Sequence, residues 1–184
     1  MIILELFAGT RSIGKAFERR GHKVFSVEWD HNFENISLYA DVGTLTADQI
    51  IKLCGGRPDV IWASPDCTTY SIAGISHHRR RDLISGNLNP ISEYAKFCDK
   101  VNQHVLDLIH ELQPRFFFIE NPRGGFRKMK FIKDIPCYTI TYCHQSAPRG
   151  SATGTQGIKG SKDRSRIPDK FCDYIVELCE RKIK

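Results

Sequence analysis

Nowhere in these 184 residues is there an apolar run of the twenty or so residues that a membrane-spanning helix needs. The opening MIILELF has no basic segment ahead of it and no small-residue cleavage site behind it, so it reads as a buried strand rather than a secretion signal. The seven cysteines are odd in number and include no Cys-x-x-Cys pair. That argues against a disulfide framework and a structural zinc site, and for a reducing compartment. No metal is expected. The dinucleotide pattern Gly-x-Gly-x-x-Gly is missing too, so a pyrophosphate ligand is not indicated. There is no internal repeat.

What is present is an ordinary soluble composition, 41% hydrophobic and 26% charged. The length suits one domain over 1–184 with a single sizeable core. The formal net charge of +6 is compatible with a nucleic-acid partner. Its distribution says more. HHRRR at 77–81 is a local cluster, and 145–168 is a flexible-looking Gly/Ser-rich segment carrying Arg149, Lys159, Lys162, Arg164 and Arg166. Such segments can follow a phosphate backbone, although a solvated surface loop has the same composition.

Apolar runs alternate with amphipathic stretches. IILELF, KVFSVEW, VIWA and RFFFIE read as strands, ISLYADV over 36–42 as a short one, and YTITYC as a further one. Helices are expected over 12–20, after a cap at Thr46, and at the C-terminal end. The best helix precedes Pro114. Ile91, Tyr94, Ala95, Cys98, Val101, Val105, Leu108, Ile109 and Leu112 fall on one stripe. A long loop is expected from 64 to about 89. The alternation predicts an α/β fold with a mostly parallel sheet and helices on both faces.

Ligands of such sheets bind at the carboxyl ends of the strands. Four of these ends carry unusual residues. LELFAGTRSIG turns from strand to helix through Gly9, which allows a close backbone approach, although a plain tight turn explains it equally. Glu28 follows the second strand, where a carboxylate can grip ribose hydroxyls. Trp29 beside it can stack on an adenine, and Asp41 can accept from an adenine amine. Taken singly these are a cap, a rim tryptophan and a turn aspartate. Together they favour an adenosine-type ligand. ASPDCTTYS places Cys67 in a polar strand end, whereas Cys54, Cys98, Cys172 and Cys179 sit in helical patterns as core residues. Glu120 ends an otherwise apolar strand, where desolvation raises a carboxyl pKa.

In order, LFAGTRSIG, EWD, DV, SPDCTTYS and IENP resemble the cytosine-C5 DNA methyltransferases over most of residues 1–125. The resemblance implies a Rossmann-like S-adenosylmethionine-dependent methyltransferase fold. It implies that Phe7, Ala8, Gly9, Thr10, Ser12, Ile13, Glu28, Trp29, Asp41, Val42 and Pro65 hold S-adenosyl-L-methionine, which leaves as S-adenosyl-L-homocysteine. It makes Cys67 the nucleophile toward cytosine and Glu120 the partner of the base. Arg79, Arg80 and Arg81, in the position of the family's mobile catalytic loop, become phosphate contacts, with Arg149 and Arg166 further along. Thr68, Thr69 and Ser71 are expected to cap a helix or bind phosphate. The tail APRGSATGTQG…RSRIP is similar to short members from phages and mobile elements that lack a target-recognition domain. The implied partner is duplex DNA with a flipped cytosine, with a protein partner for target recognition and no membrane. The implied setting is the cytoplasm of a bacterium or phage-infected cell.

The chain departs from the family pattern in three places. Asp66 stands where the family has proline, and a carboxylate there should raise the thiol pKa. The glutamate motif reads ENP rather than ENV. HQSAPR offers Gln145 and Arg149 at the wrong spacing for the family's Gln-x-Arg. Three other readings therefore stay open: methylation of an exocyclic amine, methylation of RNA, and a cofactor- or nucleic-acid-binding subunit without catalysis of its own.

Overall fold

The computed structural model describes residues 1–140 and 166–182. In chain order the elements are β1 (Ile2–Leu6), α1 (Ser12–Arg19), β2 (Lys23–Glu28), β3 (Leu38–Tyr39), α2 (Ala47–Cys54), β4 (Val60–Ala63), α3 (Ile75–His78), β5 (Arg79–Arg81), β6 (Leu88–Pro90), α4 (Glu93–Leu112), β7 (Phe116–Ile119) and α5 (Asp169–Arg181). Five strands form a parallel sheet in the order β3-β2-β1-β4-β7, and β5 and β6 form a separate antiparallel hairpin.

The central strand β1 shows why its sequence is apolar throughout. Leu4 and Leu6 pack on one face with Ile61, Ile50, Val105 and Leu108. Ile3 packs on the other with Phe17, Trp62, Ile175 and Val176. Helices α2 and α4 cover the first face, and α1 and α5 the second. The expected α/β fold with helices on both faces is what forms. The four helical cysteines are buried as anticipated.

Helix boundaries follow their caps. Thr46 and Gln49 form a reciprocal capping box at α2, and Gly55 closes that helix in the left-handed conformation. Ser92 accepts from Ala95 N–H at the start of α4. Helix α1 has no side-chain cap of its own. Instead Glu5, inside β1, accepts from Gly14 N–H at 2.9 Å and anchors the first turn.

Some expectations need correction. The strand expected over 36–42 shrinks to Leu38–Tyr39, because the Asp41 carboxylate accepts from Gly43 N–H and bends Val42–Thr44 into a 3-10 turn. The long loop over 64–89 contains α3 and the hairpin, whose Arg79–Arg81 strand shows no apolar alternation to read. Ile91 and Tyr94 lie on the expected helical stripe yet are exposed, since α4 starts at Glu93 and its first turn overhangs the core. Residues 138–140 of YTITYC are not a strand, and the rest of that stretch lies outside the described residues. Of the segment 145–168 only Arg166–Pro168 is described, and there Ile167 is buried against α1 and α5 rather than free.

Glu5 is an ionisable group in the core. Burial pushes its pKa up to about 7, against the lowering effects of Gly14 N–H and Arg11. Below pH 4.5 it is protonated folded or unfolded. As pH rises toward 7 the unfolded chain loses the proton first, so stability falls across that window. Glu5→Gln should flatten it. Between pH 4.5 and 8 the wild type should lose roughly 3 kcal/mol relative to the variant in denaturant titrations. A constant difference would show that folding leaves the Glu5 pKa at its unfolded value.

Candidate active site

The register sets the site. Leu6 pairs with Val27 and with Ala63, and Ala63 pairs with Ile119. Phe7, Glu28, Ser64 and Glu120 therefore form one row at the carboxyl rim of the sheet.

At the β1 end the chain is tightly wound. Phe7, Gly9 and Arg11 all have positive φ, at 55°, 49° and 58°. For Phe7 and Arg11 this costs on the order of 1–2 kcal/mol each. Arg11 is held there by ion pairs to Glu5, at 4.0 Å, and to Glu18. The turn is closed from the side by Glu28, whose carboxylate accepts from Gly9 N–H at 2.9 Å, Trp29 N–H at 3.0 Å and Asp30 N–H at 3.1 Å. Trp29 is 68% exposed beside it. Ala8 is buried, Thr10 and Ser12 share a hydroxyl–hydroxyl bond, and Asp41 sits exposed at its 3-10 turn. A cavity of about 370 Å³ adjoins Gly9, Thr10 and Ser12 on the side of Lys15 and Phe33. It does not include Glu28, Trp29 or Asp41. The side chains of Ile13 and Val42 are core, 1% and 2% exposed, so only their backbones are available at the rim.

The β4 end carries Ser64, Pro65, Asp66 and Cys67. Cys67 is half-buried, and its carbonyl accepts from Tyr70 N–H and Ser71 N–H, which starts a tight turn. Burial pushes its thiol up, and the Asp66 and Glu120 carboxylates push it further. Partial burial raises the Asp66 pKa, but hydrogen bonds from Thr68 and Tyr94 outweigh it and hold this carboxyl below its ordinary value. Asp66 therefore stays ionised beside the thiol. Glu120, at the β7 end, is raised by burial, with a hydrogen bond from Ser64 working against that. The Ser64 hydroxyl in turn accepts from Trp62 Nε1–H at 2.8 Å, which fixes its direction.

Two ties hold these loops together. Asn121 Nδ2–H donates to the Pro65 carbonyl at 3.0 Å, and Gly125 N–H donates to the Tyr70 carbonyl at 2.7 Å. A side chain at Gly124 would collide with that same Tyr70 carbonyl oxygen, so the pair of glycines after ENPR is what permits the approach. Sequence reading missed these residues, although a double glycine just past a strand end was the visible signal.

The arginine cluster divides. Arg79 is not a phosphate contact. It is 3% exposed, pairs with Asp99 through two bonds of 2.7 and 2.9 Å, donates to the Thr69 carbonyl and hydroxyl, and lies 4.1 Å over the Tyr70 ring. Tyr70 donates to Asp99 and accepts from Asn102. Thr69 is thus committed to Arg79, and Ser71 caps the turn at Gly74. Arg80 and Arg81 are exposed as expected. Arg166 is exposed, 3.4 Å from Asp169, and Arg149 and Gln145 lie outside the described residues. No group of three or more histidine, cysteine, aspartate or glutamate side chains is placed to hold a metal among the described residues. Nor is any described helix long and apolar enough to cross a membrane.

Residues 1–130 match the family described as C-5 cytosine-specific DNA methylase. The chain belongs to this family. A probable DNA (cytosine-5)-methyltransferase of Frog virus 3 is 30% identical to this methylase-family chain over 147 residues, which is 79% of the chain and 64% of that relative. The chain thus spans a little under two-thirds of the relative's length. Among solved structures, Dnmt2 methyltransferase of S. pombe superposes with a TM-score of 0.47 at 16% identity, covering 72% of this chain and 37% of that one. A Spodoptera frugiperda DNMT2 variant gives 0.43 at 21%, covering 72% and 39%.

Two outcomes are expected from this geometry. Asp66→Asn should lower the Cys67 pKa and speed alkylation of Cys67 several-fold at pH 7.5, since the thiolate fraction grows about tenfold for each pH unit by which the pKa falls. Mass spectrometry of the labelled peptides reads the rate at that one cysteine. An unchanged rate would mean that Asp66 does not bear on the thiol. Asp99→Ala, which strands a buried guanidinium, should cost about 3–5 kcal/mol of stability, whereas Arg80→Ala and Arg81→Ala should each stay within about 0.5 kcal/mol. Thermal or denaturant unfolding reads both.

Proposed function

We propose that this chain transfers a methyl group from S-adenosylmethionine to carbon 5 of cytosine in DNA. The observation that carries this reading is the meeting of Cys67 and Glu120 across two strand ends, near enough for the glutamate to raise the thiol. That a thiol and a carboxyl converge on one rim is what addition to a pyrimidine ring demands.

The residues at the β1 and β2 ends suit the nucleoside of that cofactor. The Glu28 carboxylate has about four lone-pair directions, of which three accept backbone N–H groups, so one remains for a ribose hydroxyl. Trp29 offers an uncovered ring face, and Asp41 an exposed acceptor. The bound cofactor supplies an electrophilic methyl group. Everything else falls to the protein. Cys67 Sγ, as thiolate, adds to ring carbon 6, and the charge pushed into the ring is met at nitrogen 3 by a proton held on Glu120. Carbon 5 is then enamine-like and takes the methyl. Loss of the carbon-5 proton and expulsion of the thiolate restore the aromatic ring. The burial that raises Glu120 serves this step, because a carboxyl that keeps its proton nearer neutrality is the better donor. Reaction at both faces of the base requires it to leave the duplex.

One observation favours a second reading. The ionised Asp66 beside Cys67 works against thiolate formation, which is what a chain needing a partner subunit for activity would tolerate.

Incubation with S-adenosylmethionine and duplex DNA containing 5-fluorocytosine separates the two. The fluorine blocks the final elimination, so a covalent adduct should survive a denaturing gel and be lost in Cys67→Ala. Glu120→Gln should slow its formation by about two to four orders of magnitude with cofactor affinity kept. An adduct that persists in Cys67→Ala would overturn the nucleophile. No adduct with intact cofactor binding would favour the partner-dependent reading.

A further inference from the structure

By its spacing Tyr94 belongs to the apolar stripe of α4, yet it is 43% exposed, in a first turn that overhangs the core. Its ring is nevertheless held. It meets the His78 ring edge-on at 6.1 Å between centroids and stacks along the Phe97 ring at 6.5 Å. His78 is fixed in turn, with Nδ1 at 2.8 Å from the Ser92 hydroxyl that caps α4. So carried, the Tyr94 hydroxyl donates to Oδ2 of Asp66, 28 residues earlier in the chain.

Asp66 is engaged through both oxygens. Oδ1 accepts from Thr68 N–H at 2.6 Å, which folds the chain around Cys67 as an Asx turn. Hydrogen bonds to an ionised carboxylate are roughly twice as strong as those between neutral groups. One side chain therefore shapes the turn and fastens it to α4. The neighbouring ties lie elsewhere. The Pro65 carbonyl is held from the β7 side by Asn121 at 3.0 Å, and the Thr69 carbonyl by Arg79 at 2.9 Å. At position 66, next to the thiol itself, the tie is Tyr94.

A proline in front of Cys67, as in the family pattern, holds its own φ through its ring. An aspartate has no such restraint, and its charge opposes the thiolate. Its two hydrogen bonds supply a reason for its presence. We propose that Tyr94 is a positioning residue: through the Asp66 carboxylate it fastens the Cys67 turn to α4, and so restrains by hydrogen bonds what a proline restrains by its ring. The catalytic consequence rests on the proposed role of Cys67, whereas the attachment does not.

The test uses the full chain and reads holding and charge separately. Hydrogen exchange of the amides over 66–71 reports the turn, the pH profile of Cys67 alkylation reports the thiol, and 5-fluorocytosine trapping reports the reaction. Tyr94→Phe keeps the ring and removes the hydroxyl. It should speed exchange over 66–71 several-fold and slow adduct formation about ten- to a hundredfold, with the alkylation midpoint in place. Asp66→Asn keeps an acceptor for Thr68 N–H and a donor toward Tyr94, so it should lower the midpoint and leave exchange as it was. Asp66→Ala loses the same bond from its other end. Adding Tyr94→Phe to it should therefore change nothing further. The proposal is overturned if Tyr94→Phe leaves exchange over 66–71 unchanged, or acts as strongly in the Asp66→Ala background. It is also overturned if a shifted midpoint accounts for the whole loss of adduct, since Tyr94 would then act through charge alone, or if a working trap is indifferent to Tyr94→Phe. Exchange requires no methyl transfer. A wild type that forms no adduct but shows the exchange effect thus removes the chemistry and leaves the attachment, and a working trap with unchanged exchange does the opposite.

Discussion

Two hydrogen bonds decide whether this molecule has one site or two unrelated strand ends. Cys67 follows β4 and Glu120 follows β7, and neighbouring parallel strands bring their ends within about 5 Å of each other. Beyond the strands nothing in a sheet holds loops together. Here Asn121 Nδ2–H meets the Pro65 carbonyl and Gly125 N–H meets the Tyr70 carbonyl, one tie on either side of Cys67. Each contributes only about 1 kcal/mol to stability. Their consequence is geometric, because two groups proposed to act on one ring need their separation fixed to a fraction of an ångström.

The second layer of support is the buried ion pair of Arg79 and Asp99. A pair of this kind gains little over apolar packing in net stability, since desolvation cancels most of the attraction. What it does is define a direction. Arg79 engages Thr69, Tyr70 and Asp99 at once, so the turn after Cys67, helix α4 and the root of the hairpin share one fixed joint. Phe126 makes a T-shaped contact with the same Tyr70 ring, in a buried cluster that includes Cys98 and Met129. The loop after Cys67 is therefore not a free lid at its base. Any motion it has is hinged beyond Arg79, in the part that carries Arg80 to Asn89.

The sheet was readable because buried parallel strands are written as plain apolar runs, and α2 and α4 because the Thr46 cap and a helical stripe marked them. The rim residues were readable because a polar cluster at the end of such a run has few other reasons to exist. The role of Arg79 was not. A triplet of arginines looks like a surface patch, and only the fold shows that alternation along β5 turns the first one inward to Asp99, twenty residues away. The side chains of Ile13 and Val42 turn inward for a related reason: neighbours of a binding turn still have to fill the core. Trp29, Asp41 and Glu28 came out at the rim as read, but a cavity of about 370 Å³ lies to one side of them, at Lys15 and Phe33. Sequence spacing locates a strand end and says little about the volume beside it.

The acidic setting of Cys67 is less of a handicap than it first looks. Each pH unit by which a thiol pKa rises above ambient pH reduces the thiolate about tenfold. The thiolate that does form is more nucleophilic, by about threefold per pH unit for a Brønsted slope near 0.45. The net loss is about three- to fourfold for each. The two rim groups also bear on one another. Glu120 ionised with Cys67 neutral, and Glu120 neutral with Cys67 ionised, carry the same total charge and differ only in which group holds the proton. The second form is the one addition to cytosine requires. Burial of Glu120 favours its neutral state, and a neutral Glu120 removes one of the two carboxylates that hold the thiol up. Desolvation at β7 thus offsets part of what Asp66 imposes at β4. A base that entered the site and excluded water would desolvate Glu120 further and so keep the proton there to meet nitrogen 3, while desolvation of Cys67 would hold back part of that gain.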